Sequence, residues 1–283
     1  MVPPPRAVPA LNDLSTFDRL ISESRTLVSV HEDPLQRLGG YMLEALIARL
    51  DLSGSSIYKS LKCKEPQTSD LLSYMHLLYK ACPYFKFGHL SANGAITEAM
   101  RDEPRIHIID FQIAQGSQWA PLIQAVAGRP GGPPRVPITG IDDPVLSRTR
   151  GGGLEIVGRR LSGLAQLCGF PLEFCRLLVS GCEIEMGRIE VRAEESVAVN
   201  FALVLHHMAD ENVGPGLGLA RNDRDRVLRM VRGLSPNNKV KVMTLVEQEM
   251  GTSGGPFVAR FVETLDYYLA VFELMDVVLS RER

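Results

Sequence analysis

Concentrated positive charge is missing from this sequence. Lysine and arginine together number 31 against 33 acidic residues, a formal net charge of −2 at neutral pH. A protein that grips DNA by its backbone or grooves carries a basic footprint on one face, so autonomous DNA binding is not expected. The densest basic stretch is Arg221, Arg224, Arg226, Arg229 and Arg232. On a helix, Val227, Val231 and Leu234 share one stripe and the arginines fall mostly off it, with Asp223 and Asp225 diluting their charge. That pattern reads as a solvated helix face.

Long apolar runs are also absent: none reaches the ~18 residues that a membrane-spanning helix needs. The five cysteines, Cys63, Cys82, Cys168, Cys175 and Cys182, are odd in number and include no CxxC pair. With no secretory leader ahead of them, reduced thiols in an intracellular compartment are the expectation. Cys168, Cys175 and Cys182 recur at heptad spacing, but Pro171 interrupts any single helix that would align them, so a zinc site is not expected. Trp119 is the sole tryptophan, and a tryptophan at a helix start is expected to be a packing residue.

What is present is an ordinary globular balance, 45% apolar and 23% charged over 283 residues, enough for one large α/β domain or two smaller units. The proline-rich opening MVPPPRAVPA lacks apolar periodicity, and residues 1–12 are expected to be disordered. From 13 to 104 the pattern is helical. Leu38, Met42, Ala45, Leu46, Arg49 and Leu50 follow 3.6-residue spacing, Ser69-Asp70 offers a cap for a helix through Tyr79, Pro83 breaks or kinks it, and Ser91-Ala92-Asn93 opens another.

Residues 105–283 change texture. Strands are expected at Arg105 to Phe111, at Val136 to Asp142, at Ser196 to Leu205 and at Val240 to Val246. Helices are expected at Gln118 to Ala127, at Gly153 to Cys168 and at Val227 to Leu234, with a long amphipathic helix at Phe257 to Val277. Strand and helix alternate, which predicts a parallel α/β sheet with right-handed crossovers. The apolar strand Val240 to Val246 expects neighbours in that sheet. The glycine-rich stretch VGPGLGL, spanning 213–219, reads as a flexible loop.

The strongest local candidate for chemistry is the first βα turn, DFQIAQGSQW. Asp110 ends a buried strand, Gly116 enters a helix, and Asp142 ends the next strand. Doubly wound sheets bind nucleotides at this end, on free helix N–H groups, with an acid on the ribose. Asp110, Gly116 and Asp142 are therefore candidate residues for an adenosyl cofactor. The turn has a single glycine among bulky glutamines, which gives a cofactor poor backbone access. The other reading is structural, with Asp110 and Gln112 tying down the turn. His206-His207 with Asp210 and Glu211 resembles a metal cluster on paper, but adjacent strand-end residues point to opposite faces, and a loop-fixing role is expected. Glu247 and Glu249 would face one side of a strand end as paired carboxylates, without a nucleophile or partner histidine. No catalytic residue and no metal ligand is assigned.

Ile106-His107-Ile108-Ile109-Asp110 resembles the VHIID motif of the GRAS family, with isoleucine for the leading valine, and FQIAQGSQW resembles its extension. Leu35 onward resembles the end of the first leucine-rich region, and residues 151–174 the second. Asn200-Phe201 with Leu205 through Glu211 resembles VNFxxxLHHxPDE, with Ala209 where proline is usual. Leu234-Ser235-Pro236, residues 244–249, 260–263 and Tyr267-Tyr268 resemble the PFYRE region. SGSSIYKSLKCKEP, LLSYMHLLYKACPYFKFGHLSANGAI and ITGIDDP resemble the branch of phytochrome A signal transduction and chitin-inducible gibberellin-responsive proteins.

The resemblance implies a methyltransferase-like, Rossmann-type parallel core, with an α-helical cap supplied mainly by residues 13–104 and an α/β core from 105. The family pattern continues into a SAW region that this sequence lacks, so the expectation is a C-terminally truncated domain without its final strands. The resemblance further implies a nuclear transcriptional regulator acting through protein–protein contacts, not an enzyme, and needing no cofactor. The implied partners are zinc-finger DNA-binding factors and other GRAS proteins, met by leucine-rich faces around the VHIID strand. The alternative carried forward is an S-adenosylmethionine-dependent methyltransferase or a binder of an adenosyl ligand.

Overall fold

Strands form here where β-branched and apolar residues are densest. The computed structural model describes residues 11–29, 31–51, 53, 57, 68–149, 153–181, 183–208, 222–234, 239–248 and 256–279. In chain order the helices are α1 (Leu11–Leu27), α2 (Pro34–Leu50), α3 (Thr68–Ala81), α4 (Pro83–Ala99), α5 (Trp119–Ala127), α6 (Pro144–Thr149), α7 (Gly153–Leu167), α8 (Asp223–Gly233) and α9 (Phe257–Val278). The strands are β1 (Ile106–Asp110), β2 (Val136–Asp142), β3 (Leu172–Leu178), β4 (Ser196–Ala202) and β5 (Val240–Val246), with 3-10 turns at Met186–Arg188 and Leu205–His207. The chain divides into two units, Met1–Lys59 with Phe257–Arg283, and Ser60–Pro256. Residues 1–10, the 213–219 loop, Cys63, Cys182, Arg221, Asp210, Glu211, Glu249 and most of the 53–66 stretch lie outside the described residues.

The first unit is helical. Asp33 caps α2 by accepting the Gln36 N–H at 2.9 Å, with Pro34 opening the helix. Its contacts with α9 run in reverse order: Arg37 with Asp276 at 3.1 Å, Tyr41 edge-on to Phe272, and Arg49 over the Phe257 ring at 4.0 Å. The two helices are therefore antiparallel. The expected α9 stripe, Phe257, Phe261, Leu265, Tyr268, Phe272 and Met275, is half-buried throughout, and no residue of α9 is fully buried.

The second unit holds a five-stranded, all-parallel sheet in the order β3-β2-β1-β4-β5. The chain winds outward from β1 in one direction and then returns to continue in the other, which is the Rossmann-type, methyltransferase-like arrangement. Every position of β1 and β2 is buried, as expected of strands covered on both faces. Ile106, Ile108 and Ile138 pack one face against Ile96 and Met100 at the end of α4, Trp119 and Ile123 of α5, and Leu154, Val157 and Leu161 of α7. Ile109, Phe111, Val197, Val199 and Phe201 pack the other face against Val227 and Val231 of α8. Each such side chain contributes ~1.5–3 kcal/mol by leaving water.

Several local expectations change. Ser91, Ala92 and Asn93 lie inside α4, which Pro83 has already opened eight residues earlier at a position where the missing N–H costs nothing. The strand beginning at Ser196 stops at Ala202, because Leu203 takes a left-handed backbone (φ 56°). β3 was not expected as a strand. Gly169 (φ 86°) and Pro171 end α7 and release the chain into it. Leu167 does not join the buried stripe of α7 but is 88% exposed. β5 pairs with β4 and, among the described residues, with no strand beyond; Lys241, Met243 and Leu245 are exposed.

Gly153 shows how closely two helices approach. A Cβ there would lie 2.9 Å from Cα of Ser147 and 3.0 Å from its carbonyl oxygen, both backbone atoms of α6 that cannot swing away. Gly153→Ala is expected to destabilise the second unit by ~1–3 kcal/mol through overpacking. Gly163→Ala in the same helix meets nothing within 4 Å and should be neutral or stabilising by up to ~1 kcal/mol. Thermal melts of the two variants check the contrast.

Candidate functional site

In a doubly wound sheet the ligand crevice opens at the carboxyl ends of the strands where the winding reverses. Here that point lies between β1 and β4, whose last residues pair Asp110 with Asn200; Asn200 in turn pairs with Thr244 of β5. One rung thus carries three polar side chains across the middle of the sheet, and all three are buried.

These groups bond to each other and to the entering helix. Asp110 accepts the indole N–H of Trp119 on Oδ2 at 2.7 Å, and the Gln112 N–H (3.3 Å) and Asn200 Nδ2 (3.2 Å) on Oδ1. Asn200 also donates to Gln118 Oε1 at 3.1 Å, while its own Oδ1 accepts from Gln118 Nε2 (3.3 Å) and the Thr244 hydroxyl (2.8 Å). Asn93 of α4 completes the set, donating to the Gln118 carbonyl at 2.7 Å and accepting from Gln118 Nε2 at 3.3 Å. Burial pushes the Asp110 carboxyl up to about 6, against the pull of the Trp119, Gln112 and Asn200 donors.

The turn itself is fixed by backbone. Phe111 N–H donates to Asn200 O, Ile113 N–H to Ile141 O, and Gly116 N–H to Ile113 O. Ala114 (φ 47°) and Gly116 (φ 65°) both take left-handed conformations, and a Cβ on Gly116 would stand 2.9 Å from Val157 Cγ1. Gly116 therefore serves close packing of the turn on α7. Asp110 and Gly116 share this turn. Asp142 lies at the end of the adjacent strand, buried, with Oδ1 accepting the Asp143 N–H at 3.0 Å.

His107, the second residue of the motif, faces the other way. Its Nδ1 meets Glu195 Oε2 at 2.9 Å and its Nε2 meets the Thr139 hydroxyl at 2.8 Å. Burial holds the imidazole below its ordinary range despite the Glu195 carboxylate beside it. The neutral ring then donates from Nδ1 and accepts at Nε2, which fixes its tautomer. Glu195 also accepts the Arg192 N–H at 2.9 Å, and Arg192 grips Glu173 through two bonds of 2.6 and 2.9 Å.

The two histidines sit in a 3-10 turn instead of on a strand end, with ring centroids 3.9 Å apart. His206 Nδ1 meets Glu247 Oε2 at 2.7 Å, and Glu247 Oε1 accepts the N–H groups of Val204 (3.0 Å) and Leu205 (2.6 Å). Glu247 is thus a cap on this turn. Among the described residues no group of three His, Cys, Asp or Glu could hold a metal ion, and no helix is long and apolar enough to cross a membrane. The sequence alone gives no role at this site to Gln118, Asn200, Thr244, Asn93 or Glu195. Their signal was a polar residue inside an apolar run, as Asn200 is in SVAVNFA.

A model described as the GRAS domain family matches residues 6–283. Chitin-inducible gibberellin-responsive protein 2 of Oryza sativa subsp. japonica is 58% identical over 277 residues, 98% of this chain and 49% of that protein. Scarecrow-like transcription factor PAT1 of Arabidopsis thaliana is 56% identical over 272 residues, 96% of this chain and 54% of that protein. The crystal structure of SCL7 in Oryza sativa matches with a TM-score of 0.73 at 35% identity, covering 98% of this chain and 73% of that one. The chain spans about half the length of the curated relatives it matches.

Proposed function

This chain belongs to the GRAS domain family, and from that premise we propose that it is a plant transcriptional regulator of the nucleus, acting by binding other proteins and not by catalysis. One observation carries the reading. The end of the sheet where a nucleotide cofactor binds in related folds is filled by the chain's own Asp110, Trp119, Asn200 and Gln118. An adenosyl group placed there would have to break buried hydrogen bonds, each orphaned partner costing ~1–3 kcal/mol.

Two further features support it. Three of the four described arginines of α8 are tied locally, Arg224 to the Leu205 carbonyl, Arg226 to the Ile184 carbonyl and Arg229 to Asp225, which thins the basic stripe that DNA would need. Surface suited to protein contacts lies on α4, where Tyr84 is 75% and Phe87 71% exposed. A groove of about 760 Å³ runs between α4 and α5, lined by Leu90, Ile96, Met100, Pro121, Leu122 and Val126. The leucines at 154 and 161 of the second leucine-rich region point into the core, so partner contacts are assigned to this groove and not to them. DNA-binding zinc-finger factors and other GRAS proteins are the proposed partners.

Calorimetry with S-adenosylmethionine tests the choice between regulator and methyltransferase. No binding tighter than ~1 mM, a free energy of about −4 kcal/mol, is expected. Micromolar binding abolished by Asp142→Ala would establish the methyltransferase alternative. Pull-down with zinc-finger factors tests the partner class, and tight, salt-sensitive binding of the isolated chain to one DNA sequence would refute the adaptor role.

A further inference from the structure

A second cleft, of about 800 Å³, opens at the carboxyl ends of β2 and β3, and its lining includes Arg148, Arg176 and Arg188 against one acid, Glu155. Three positive charges and one negative leave an excess of two. Arg148 and Arg188 have no side-chain hydrogen bond or ion pair among the described residues, whereas Arg105, Arg192 and Arg229 of the same unit are each held by a carboxylate. Arg176 reaches Glu155 at 3.7 Å, with both side chains more than half exposed. An exposed pair of that kind contributes ~0–1 kcal/mol and is readily exchanged. Between the arginines the lining is apolar: Leu154 is buried, while Leu178, at the end of the outer strand β3, is 49% exposed.

We propose that this cleft docks an acidic segment of a partner protein, with carboxylates set against Arg148, Arg176 and Arg188 and an apolar side chain between them on Leu178. The inference rests on the protein-binding reading above and adds the chemistry of one partner surface. Guanidinium groups pair carboxylates through two parallel hydrogen bonds. A free phosphate would satisfy the arginines but gain nothing from Leu178. A nucleic acid would bring its phosphates against Glu155 and against a chain of net charge −2.

The test uses the full chain and a fluorescein-labelled peptide of about ten residues in which Asp and Glu flank Leu and Phe. Fluorescence anisotropy should show binding that weakens as salt rises. The double variant Arg148→Glu/Arg188→Glu should weaken it at least about tenfold, and Leu178→Ser by a smaller factor, with melting temperatures unchanged. Arg229→Glu/Arg232→Glu on α8 should leave it as it was. Absence of binding overturns the proposal. So does binding that survives the double variant, and so does equal competition by inorganic phosphate or duplex DNA with no effect of Leu178→Ser, which would mark an anion site. If a zinc-finger factor is captured equally by the wild type and the double variant, and the peptide does not bind, the cleft fails while the regulator reading stands. If no protein partner is captured but the peptide binds through these arginines, the cleft stands and that reading fails.

Discussion

Asn200→Leu is expected to remove a large share of the stability of the sheet-bearing unit. The two side chains have the same branched shape and leucine is the larger, so the change leaves no cavity, and any overpacking adds to the polar term. It deletes both donors and the acceptor through which Asn200 holds Asp110, Gln118 and Thr244. Thr244 keeps a long bond to the Val199 carbonyl and Gln118 keeps Asn93. Gln118 Oε1 is left with no partner, and Asp110 loses one of three donors while remaining buried. At ~1–3 kcal/mol for each buried group left short, the loss is ~3–6 kcal/mol, set against the ~5–15 kcal/mol that a whole domain has. Urea unfolding measures it. A loss under about 1 kcal/mol would mean that the rung is not held as described. Asn200→Asp gives a second view, since it places another carboxyl about 3 Å from Asp110 and two such groups cannot both ionise; its stability should fall steeply above pH ~6.

The second large effect is in the pH dependence. Asp110 has its folded pKa raised to about 6, above the ~3.9 of an unfolded aspartate. The native state therefore binds a proton more tightly. Its ionised form costs ~3 kcal/mol at neutral pH, and that cost is relieved as pH falls from ~6 to ~4. His107 has its folded pKa lowered by burial, so the unfolded chain takes up the proton first. The stability from a neutral His107 is present above pH ~6.5 and is lost as pH falls below it. Two groups three residues apart on one strand thus push in opposite directions as pH falls from ~6 toward ~4. Asp110→Asn should make stability fall more steeply than wild type on acidification across that window. His107→Gln should make it fall less, or rise. Denaturant titrations at four pH values give the slopes, and parallel profiles for the two variants would contradict the assignment. Glu103, Glu173 and Glu247, whose carboxyls are held below the usual range, act below this window.

Those two residues also mark how much the sequence made legible. β1, β2 and β5 follow from their apolar runs because strands of a parallel sheet need nothing else to be recognised. β3 escapes that test: as an outer strand it alternates charge and apolar residues, and LEFCRLL reads equally as helix. Ser91-Ala92-Asn93 has the composition of a helix cap, yet Asn93 spends its amide on the Gln118 carbonyl across to the next element. Only the tertiary partner distinguishes the two uses. Asp110 is legible at its strand end, with a cofactor or a structural role both open. What fills the crevice, Asn200 and Gln118, comes from residues 82 to 90 positions away in the chain, and no local pattern announces such pairs.

The helical unit is assembled from both ends of the chain, with α2 lying antiparallel to α9 and roughly two hundred residues of the other unit encoded between them. A ribosome adding ~5–20 residues each second needs some 10–40 seconds to cover that distance. Throughout that interval Tyr41 and Arg49 have been made, but Phe272 and Phe257 have not. The intervening unit, being continuous in sequence, is free to fold on emergence. Helices α1 and α2 of a nascent chain are consequently a stretch that holdase chaperones should occupy for long, and the order of maturation runs from the sheet-bearing unit to the helical one.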